Sequence, residues 1–471
     1  MLTFETLEGF QDQLAVIDSN GEKYTYQDLI DFAFLIKDKI NSKSLIFCLN
    51  QNTIGSLSGY LSFILNQHVP LMLDHQLASE LLLKLIEQYH PNYIWAPENT
   101  TLKIKNQTII MKAHGYKLVL INQNNSANLH SDLALLLTTS GSTGSPKLVR
   151  LSYKNINSNA EAIANYLSID NHERPITSLP MHYSFGLSII NSHIIKGATI
   201  LLTNNSILEK EFWGFLKEQN ATSLSGVPYS FEILKKLRFF KMDLPKLTTI
   251  TQAGGKLNLE LNLELSEFCK NNNKRLFIMY GQTEATARMS YLPHEYSMSK
   301  VGSIGLAIPG GKFSIQDENG NLILDDDNEG ELIYHGDNVS MGYSYSIEDL
   351  IKGDENGGIL ATGDIGRKDN DGFYFIVGRK KRFIKLFGNR INLDEIEQLL
   401  NNQKMDCACV GNDDRLIIFT TQKNHENKIT NYVSETLKIH HRSFVIQYVS
   451  DLPRDTSGKL LYTKLNNYEF N

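Results

Sequence analysis

Short apolar, β-rich runs alternate with longer amphipathic stretches through most of the chain. Residues 44–49 and 69–73 read as strands and flank a helix over 55–66. The same alternation predicts strands at 133–138, 176–179, 199–203 and 276–279, and helices at 155–167, 186–196 and 208–219. Strands joined by helical crossovers build parallel sheets, and so many crossovers imply two related α/β subdomains rather than one. From about 302 to 374 the pattern shifts to short strands (312–316, 321–324, 330–335) broken by Gly, Asp and Asn, which reads as an antiparallel, barrel-like subdomain. Near Gly378 an apolar run ends in a basic cluster of Arg379, Lys380, Lys381, Arg382 and Lys385. Beyond it come a helix over 393–402 with Asn392 as N-cap and strands near 408–410 and 416–420, enough for a small α+β domain. The expected organisation is α/β: a large N-terminal domain over 1–378, carrying the barrel-like subdomain, and a small C-terminal domain over 379–471.

A chain of 471 residues is long enough for several packing units and a sizeable core. With 41% hydrophobic and 21% charged residues, it falls outside the disordered and collagen-like classes. A net charge of −6 supplies no global basic field, so neither nucleic acid nor an anionic membrane is an expected partner. The first twenty residues lack a basic n-region and an apolar core, and no run is long enough to span a bilayer. Cys48, Cys269, Cys407 and Cys409 contain no CxxC pair and form no disulfide framework, which suits a reducing cytoplasm. Cys407 and Cys409, two apart on a strand, would share one apolar face.

Candidate chemistry concentrates at 135–151, where an apolar strand enters Thr-Thr-Ser-Gly-Ser-Thr-Gly-Ser-Pro-Lys and leaves through a second apolar run. Glycines let backbone N–H groups converge, the hydroxyls of Thr139, Ser140, Ser142 and Thr143 add donors, and Lys147 adds a positive charge; together these make an anion cradle for phosphate. Pro146 and Leu148 flank the lysine, so the loop is not a Walker A loop, which ends Gly-Lys-Ser/Thr.

With this loop on the page, the chain resembles the adenylate-forming superfamily of acyl-CoA and aryl-CoA synthetases, peptide-synthetase adenylation domains and firefly luciferase. Further motifs follow in the family's order: Tyr-Gly-Gln-Thr-Glu-Ala at 280–285, Thr-Gly-Asp-Ile-Gly at 362–366, Gly-Arg-Lys-Lys-Arg-Phe-Ile-Lys at 378–385, and Leu-Pro-Arg-Asp-Thr-Ser-Gly-Lys at 452–459. Tyr-Thr-Tyr-Gln-Asp-Leu at 24–29 extends the likeness toward the start; Leu148 departs from it, where the family usually has glycine. The resemblance implies an AMP-forming ligase. A carboxylate attacks the α-phosphate of ATP in the presence of Mg²⁺, and a thiol of coenzyme A or of phosphopantetheine on a carrier protein then takes the acyl group. Thr139, Ser140, Gly141, Ser142, Thr143, Gly144 and Lys147 would hold phosphate. Ala253, Gly254 and Gly255 would floor the adenine, with Tyr280, Gly281 and Gln282 beside it, and Asp364 and Arg379 would hold the ribose. The resemblance further implies that Thr283 contacts the α-phosphate, Glu284 holds Mg²⁺, Lys459 supplies the catalytic charge, Lys381 is a hinge for a mobile C-terminal domain, and Gly388 lines the thiol channel.

Leu-Pro-Met-His-Tyr-Ser-Phe-Gly-Leu at 179–187 resembles the family's acyl-pocket segment, so His182, Tyr183 and Phe185 are expected there with Val227 and Met279, His182 gating the carboxylate. The segment carries no acid that would bind an ammonium, which disfavours an amino-acid-adenylating enzyme. A small carboxylic acid is the expected substrate. The basic run 380–385 would serve either coenzyme A or an acidic acyl carrier protein. A non-catalytic nucleotide-binding protein of the same fold is the remaining alternative, and the intact motifs speak against it.

Overall fold

The strand Leu45–Asn50 sends alternate side chains to opposite faces, Ile46 and Cys48 into one core and Leu45, Phe47 and Leu49 into another. It lies inside an eight-stranded sheet of the computed structural model, which describes the chain except residues 123–127, 139–146, 387–388, 413–414, 438–443, 455–459 and 467–471. From one edge the order is Gly342–Ser344, Leu148–Ser152, Leu133–Thr138, Val69–Asp74, Leu45–Asn50, Tyr93–Pro97, Tyr116–Leu120 and Thr108–Ala113. The four strands from Leu133–Thr138 to Tyr93–Pro97 run parallel, and antiparallel pairs extend both flanks.

The second α/β layer centres on the parallel strands Ser223–Gly226, Thr249–Gln252 and Arg275–Tyr280, continued by Ser290–Leu292 and Leu306–Ala307. Isolated bridges at Pro175 and Ile176 connect it to a three-stranded sheet built from Leu14–Asp18, Lys23–Thr25 and Ile200–Leu202. Residues of both layers share one core with the helices Ile54–Leu65, Tyr153–Tyr166 and Ser184–Ile194. Every residue of Ser184–Ile194 is buried, and its polar members are satisfied locally where Ser188 and Ser192 donate to the Phe185 and Ile189 carbonyls. Cys48, Cys269, Cys407 and Cys409 are free and buried, with Cys407 and Cys409 in one cluster.

The antiparallel subdomain has strand order Leu322–Ile323, Lys312–Gln316, Gly330–His335, Ile359–Lys368, Tyr374–Arg379. Beyond it the helix Leu393–Asn402 starts as expected at Asn392, whose side chain accepts from the Asp394 amide. That helix packs on the sheet Cys407–Asn412, Arg415–Thr420, Phe444–Tyr448 around its own core. Among the described residues no helix is long and apolar enough to cross a membrane.

Two local expectations are corrected. Residues 176–179 form no continuous strand: after Ile176 the Ser178 amide turns back to the Ile176 carbonyl and the Ser178 hydroxyl donates to Ser225, so the chain leaves the ladder before Pro180. Within 302–374, Gly342–Ser344 departs from the antiparallel subdomain and pairs with Leu148–Ser152 in the first sheet.

Candidate active site

The segment after strand Arg275–Tyr280 folds tightly because Gly281 passes against Ala287, where a Cβ would lie 1.8 Å from the Ala287 carbonyl oxygen. This turn aims Tyr280 and Gln282 at Asp364. The Tyr280 hydroxyl donates to Asp364 Oδ2 at 2.5 Å, and Gln282 Nε2 donates to the same oxygen at 2.9 Å and to the Thr362 carbonyl at 2.9 Å. Asp364 stands directly across the antiparallel ladder from Arg379, whose Nε lies 3.3 Å from Asp364 Oδ1. Burial raises the Asp364 carboxyl above the usual range, opposed by Arg379 and by the hydrogen bonds from Tyr280 and Gln282. Burial, reinforced by Asp364, pushes the Tyr280 phenol well up, so it remains a donor.

The glycine turn lies at the carboxyl end of strand Thr249–Gln252, the end where parallel α/β sheets place ligands. Buried Gln252 clamps it, its amide donating to the carbonyls of Ala253 at 3.2 Å and Gly255 at 2.9 Å. Gly254 adopts φ +84°, and a Cβ there would meet the Tyr183 hydroxyl at 2.7 Å and Val227 Cγ1 at 3.0 Å. The adenine-floor candidate thus abuts two acyl-pocket candidates. Lys256, which the sequence did not single out, lines the same cleft; burial lowers its ammonium and Asp394 and Glu395 oppose that.

Lys147 opens strand Leu148–Ser152, and its Nζ lies 3.6 Å from the centre of the Tyr343 ring. The Tyr343 hydroxyl donates to Glu284 Oε1 at 2.7 Å, so one aromatic side chain touches both the loop lysine and the metal candidate. Buried Arg150 holds this arrangement from behind. Its Nε donates to the Tyr343 carbonyl at 3.0 Å, and its other nitrogens reach the carbonyls of Met341, Lys352 and Gly353 and the Glu355 carboxylate. Neither Tyr343 nor Arg150 carries a local signature of this role.

On the acyl side, the Ser184 and Thr283 hydroxyls lie 3.2 Å apart, joining the helix Ser184–Ile194 to the Thr283-Glu284 turn. His182 Nε2 lies 3.8 Å from Asp74 Oδ2, and His75 Nδ1 lies 3.3 Å from Asp74 Oδ1. Asp74, at the end of strand Val69–Asp74, was not foreseen; it brings a carboxylate to a segment that has none of its own. Burial lowers the His182 imidazole, Asp74 opposes this and His75 adds to it, and the buried Nδ1 has no partner. Asn52 fixes the segment, donating to the Leu179 carbonyl and accepting from the Met181 amide, each at 3.1 Å. Phe185, Val227 and Met279 are buried, and Met279 Sδ contacts the Tyr166 hydroxyl at 3.1 Å.

Gly254, Gly255, Met279, Tyr280, Gly281, Gln282, Asp364 and Arg379 line one cleft of about 830 Å³, closed on its other side by Asp394, Gln398, Arg454 and Tyr462 from beyond Gly378. Of the basic run's described side chains, Arg379 and Lys380 are exposed and Arg382 is turned inward. Arg382 is buried, donating to Asp394, Glu397 and the Cys409 carbonyl, and Lys380 pairs with Glu331 at 2.8 Å. Thr139, Ser140, Gly141, Ser142, Thr143, Gly144, Gly388 and Lys459 lie outside the described residues. So does the side chain of Lys381, whose backbone sits in the turn Lys380–Arg382.

Asp364 with Arg379 and the Gly254 turn thus share one cleft of an α/β fold, the arrangement expected of the class of adenylate-forming enzymes. The chain belongs to the AMP-binding enzyme family, whose profile matches residues 4–344. It is 28% identical over 347 residues to 2-succinylbenzoate–CoA ligase of Bacillus pumilus, covering 72% of this chain and 69% of that protein. To the long-chain-fatty-acid–CoA ligase of Salmonella typhimurium it is 28% identical over 374 residues, 75% of this chain and 64% of that one. The fold matches o-succinylbenzoate coenzyme A synthetase from Bacillus subtilis in complex with ATP and magnesium ion, with TM-score 0.78, 21% identity and 98% of each chain covered.

Proposed function

We propose that this protein is an AMP-forming acid–thiol ligase that activates a small carboxylic acid with ATP and passes it to coenzyme A. In the first step a carboxylate oxygen bonds to the α-phosphorus of ATP and the bond to the β-phosphate oxygen breaks, giving an acyl-adenylate and pyrophosphate. In the second, the coenzyme A sulfur bonds to the acyl carbon, the bond to the phosphate oxygen breaks, AMP leaves and the thiol proton passes to solvent.

The observation that carries this reading is the shared cleft, in which Asp364 with Arg379 stands across from the Gly254 turn and the acyl-pocket residues Tyr183 and Val227 lie directly against that turn. A nucleotide and an acid seated there would meet. The barrier to the first step is repulsion between a carboxylate and a polyanion, which fixed cations and donors lower. Lys147 and the Thr283 hydroxyl would face phosphate, and Asp364 would accept the ribose hydroxyls in place of Tyr280 and Gln282. Glu284, a single carboxylate already oriented by Tyr343, suits a Mg²⁺ that takes its remaining ligands from phosphate and water, and a bound Mg²⁺ would offset phosphate charge. His182, kept neutral by burial, suits the mouth of the acid pocket, where an imidazolium would trap the nucleophilic carboxylate.

For the second step, residues 379–471 would turn as a unit about Lys381, exchanging Lys459 for the thiol channel at Gly388. Their separate core supports such a unit. Coenzyme A is the favoured acceptor over a carrier protein's phosphopantetheine, since the named relatives are coenzyme A ligases. The test is acid-dependent ATP–pyrophosphate exchange with Mg²⁺ across fatty, aromatic, hydroxy, dicarboxylic and amino acids, followed by coenzyme A-dependent AMP release. Exchange with at least one acid class and AMP release with coenzyme A are expected. No exchange with any acid overturns the ligase reading, and exchange without coenzyme A turnover overturns the acceptor.

A further inference from the structure

Arg150, Arg288 and Arg382 are buried, and two of them show what a structural arginine looks like here. Arg150 directs all three nitrogens at carbonyls and Glu355, and Arg382 directs all three at Asp394, Glu397 and the Cys409 carbonyl. Arg288 differs. It is 1% exposed, its Nε has no hydrogen-bond partner, and no ion pair among the described residues includes it. Its polar contacts are weak: Nη1 lies 3.2 Å from the Tyr166 hydroxyl and 3.3 Å from Met279 Sδ, and the guanidinium sits 4.9 Å over the Phe185 ring. A buried cation without a counter-charge is costly, and an aromatic face offsets little of that cost.

Arg288 also lines a small cavity with Glu173, His193 and Arg275. Glu173 is already engaged, accepting from the Thr222 hydroxyl and lying 3.6 Å from Arg275 Nη2. Burial lowers the His193 imidazole to about 4, and its Nδ1 lies 2.7 Å from the Ile189 carbonyl, so it is a neutral donor there. Two guanidinium groups against one carboxylate leave one positive charge at this cavity. Met279, whose Sδ touches Arg288, also lines the cleft that holds the Gly254 turn, and it is a flexible, unbranched side chain that yields to a ligand.

We infer that Arg288 is a specificity-determining residue of the acid pocket and pairs with a second carboxylate at the far end of the substrate. The preferred acid is therefore dianionic. This rests on the ligase reading above.

The test measures kcat and KM for ATP–pyrophosphate exchange with glutarate, adipate and 2-succinylbenzoate against matched acids ending in a methyl group or an unsubstituted ring. Wild-type protein should favour at least one diacid over its matched monoacid by about 100-fold in kcat/KM. Arg288→Met should abolish that preference mainly through KM for the diacid while leaving monoacids within threefold, and Arg288→Lys should restore part of it. Wild-type preference for monoacids overturns the inference and leaves the ligase reading standing, and this arm needs no variant to fold. An equal loss for every acid in a folded Arg288→Met protein makes the residue merely structural and also overturns it. Exchange with no acid removes both readings.

Discussion

Tyr343→Phe deletes one oxygen and leaves the ring under Lys147. The lost hydroxyl is the donor to Glu284 Oε1, and burial together with Glu284 holds its pKa far above neutrality, so it is protonated at every working pH. A hydrogen bond to an ionised group contributes about 1.5–3 kcal/mol, and the half-buried setting of Tyr343 points to the lower end. If the bond orients Glu284 for Mg²⁺, kcat/KM for Mg·ATP should fall by about tenfold, roughly 1.4 kcal/mol, and the Mg²⁺ concentration for half-maximal exchange should rise. Tyr343→Leu removes the ring as well, and with it a cation–π contact of about 0.5–1 kcal/mol to Lys147, a further loss of a few-fold. That extra loss should vanish in a Lys147→Met background, because a double-mutant cycle isolates the pair. The assay is pyrophosphate exchange titrated with Mg²⁺ at saturating acid. A folded Tyr343→Phe protein with unchanged Mg²⁺ dependence would refute the coupling of Tyr343 to Glu284.

Three further outcomes are expected. Arg150→Met removes the guanidinium donor from the carbonyls of Met341, Tyr343, Lys352 and Gly353 and the partner of Glu355, and should cost about 3–5 kcal/mol in urea unfolding; a change below 1 kcal/mol contradicts its role as the clamp on the Tyr343 strand. Gly254→Ala places a methyl group against Tyr183 and Val227 in a left-handed backbone, and should raise KM for the acid by about tenfold through overpacking; an unaltered KM shows that the turn does not shape the pocket. His193 titrates near 6.5 when unfolded but near 4 when folded, so its contribution is complete above pH 6.5 and is lost as pH falls toward 4, about 2 kcal/mol of it by pH 5. His193→Gln should accordingly show a smaller drop in thermal midpoint between pH 7 and pH 5 than wild type; an equal drop places the proton uptake elsewhere.

Several candidate residues of the site were named through the family resemblance of their motifs. Gly281 and Gly254 stand where the backbone has no room for a side chain, Tyr280 and Gln282 follow a buried strand, and Asp364 and Arg379 lie in motifs of their own. Their convergence was not readable, because Asp364 meets Arg379 through the register of two antiparallel strands and meets Gln282 through packing of two sheets. Asp74, Arg150, Lys256, Arg288 and Tyr343 carried no signal at all. Each is an ordinary residue type in an ordinary stretch, and its meaning comes from a partner distant in sequence. In the basic run, charge density alone did not show that Arg382 is drawn inward by Asp394 and Glu397.

The sequence by itself determined the α/β alternation and the start of the helix at Asn392, because periodicity and capping act over a few neighbouring residues. Tertiary structure alone decided that Gly342–Ser344 joins the first sheet and thereby sets Tyr343 between Lys147 and Glu284, and that Arg288 is sealed among Phe185, Tyr166 and Met279 with no ion pair among the described residues. Strand partnership and burial of charge are set by contacts across the whole chain, and no local pattern encodes them.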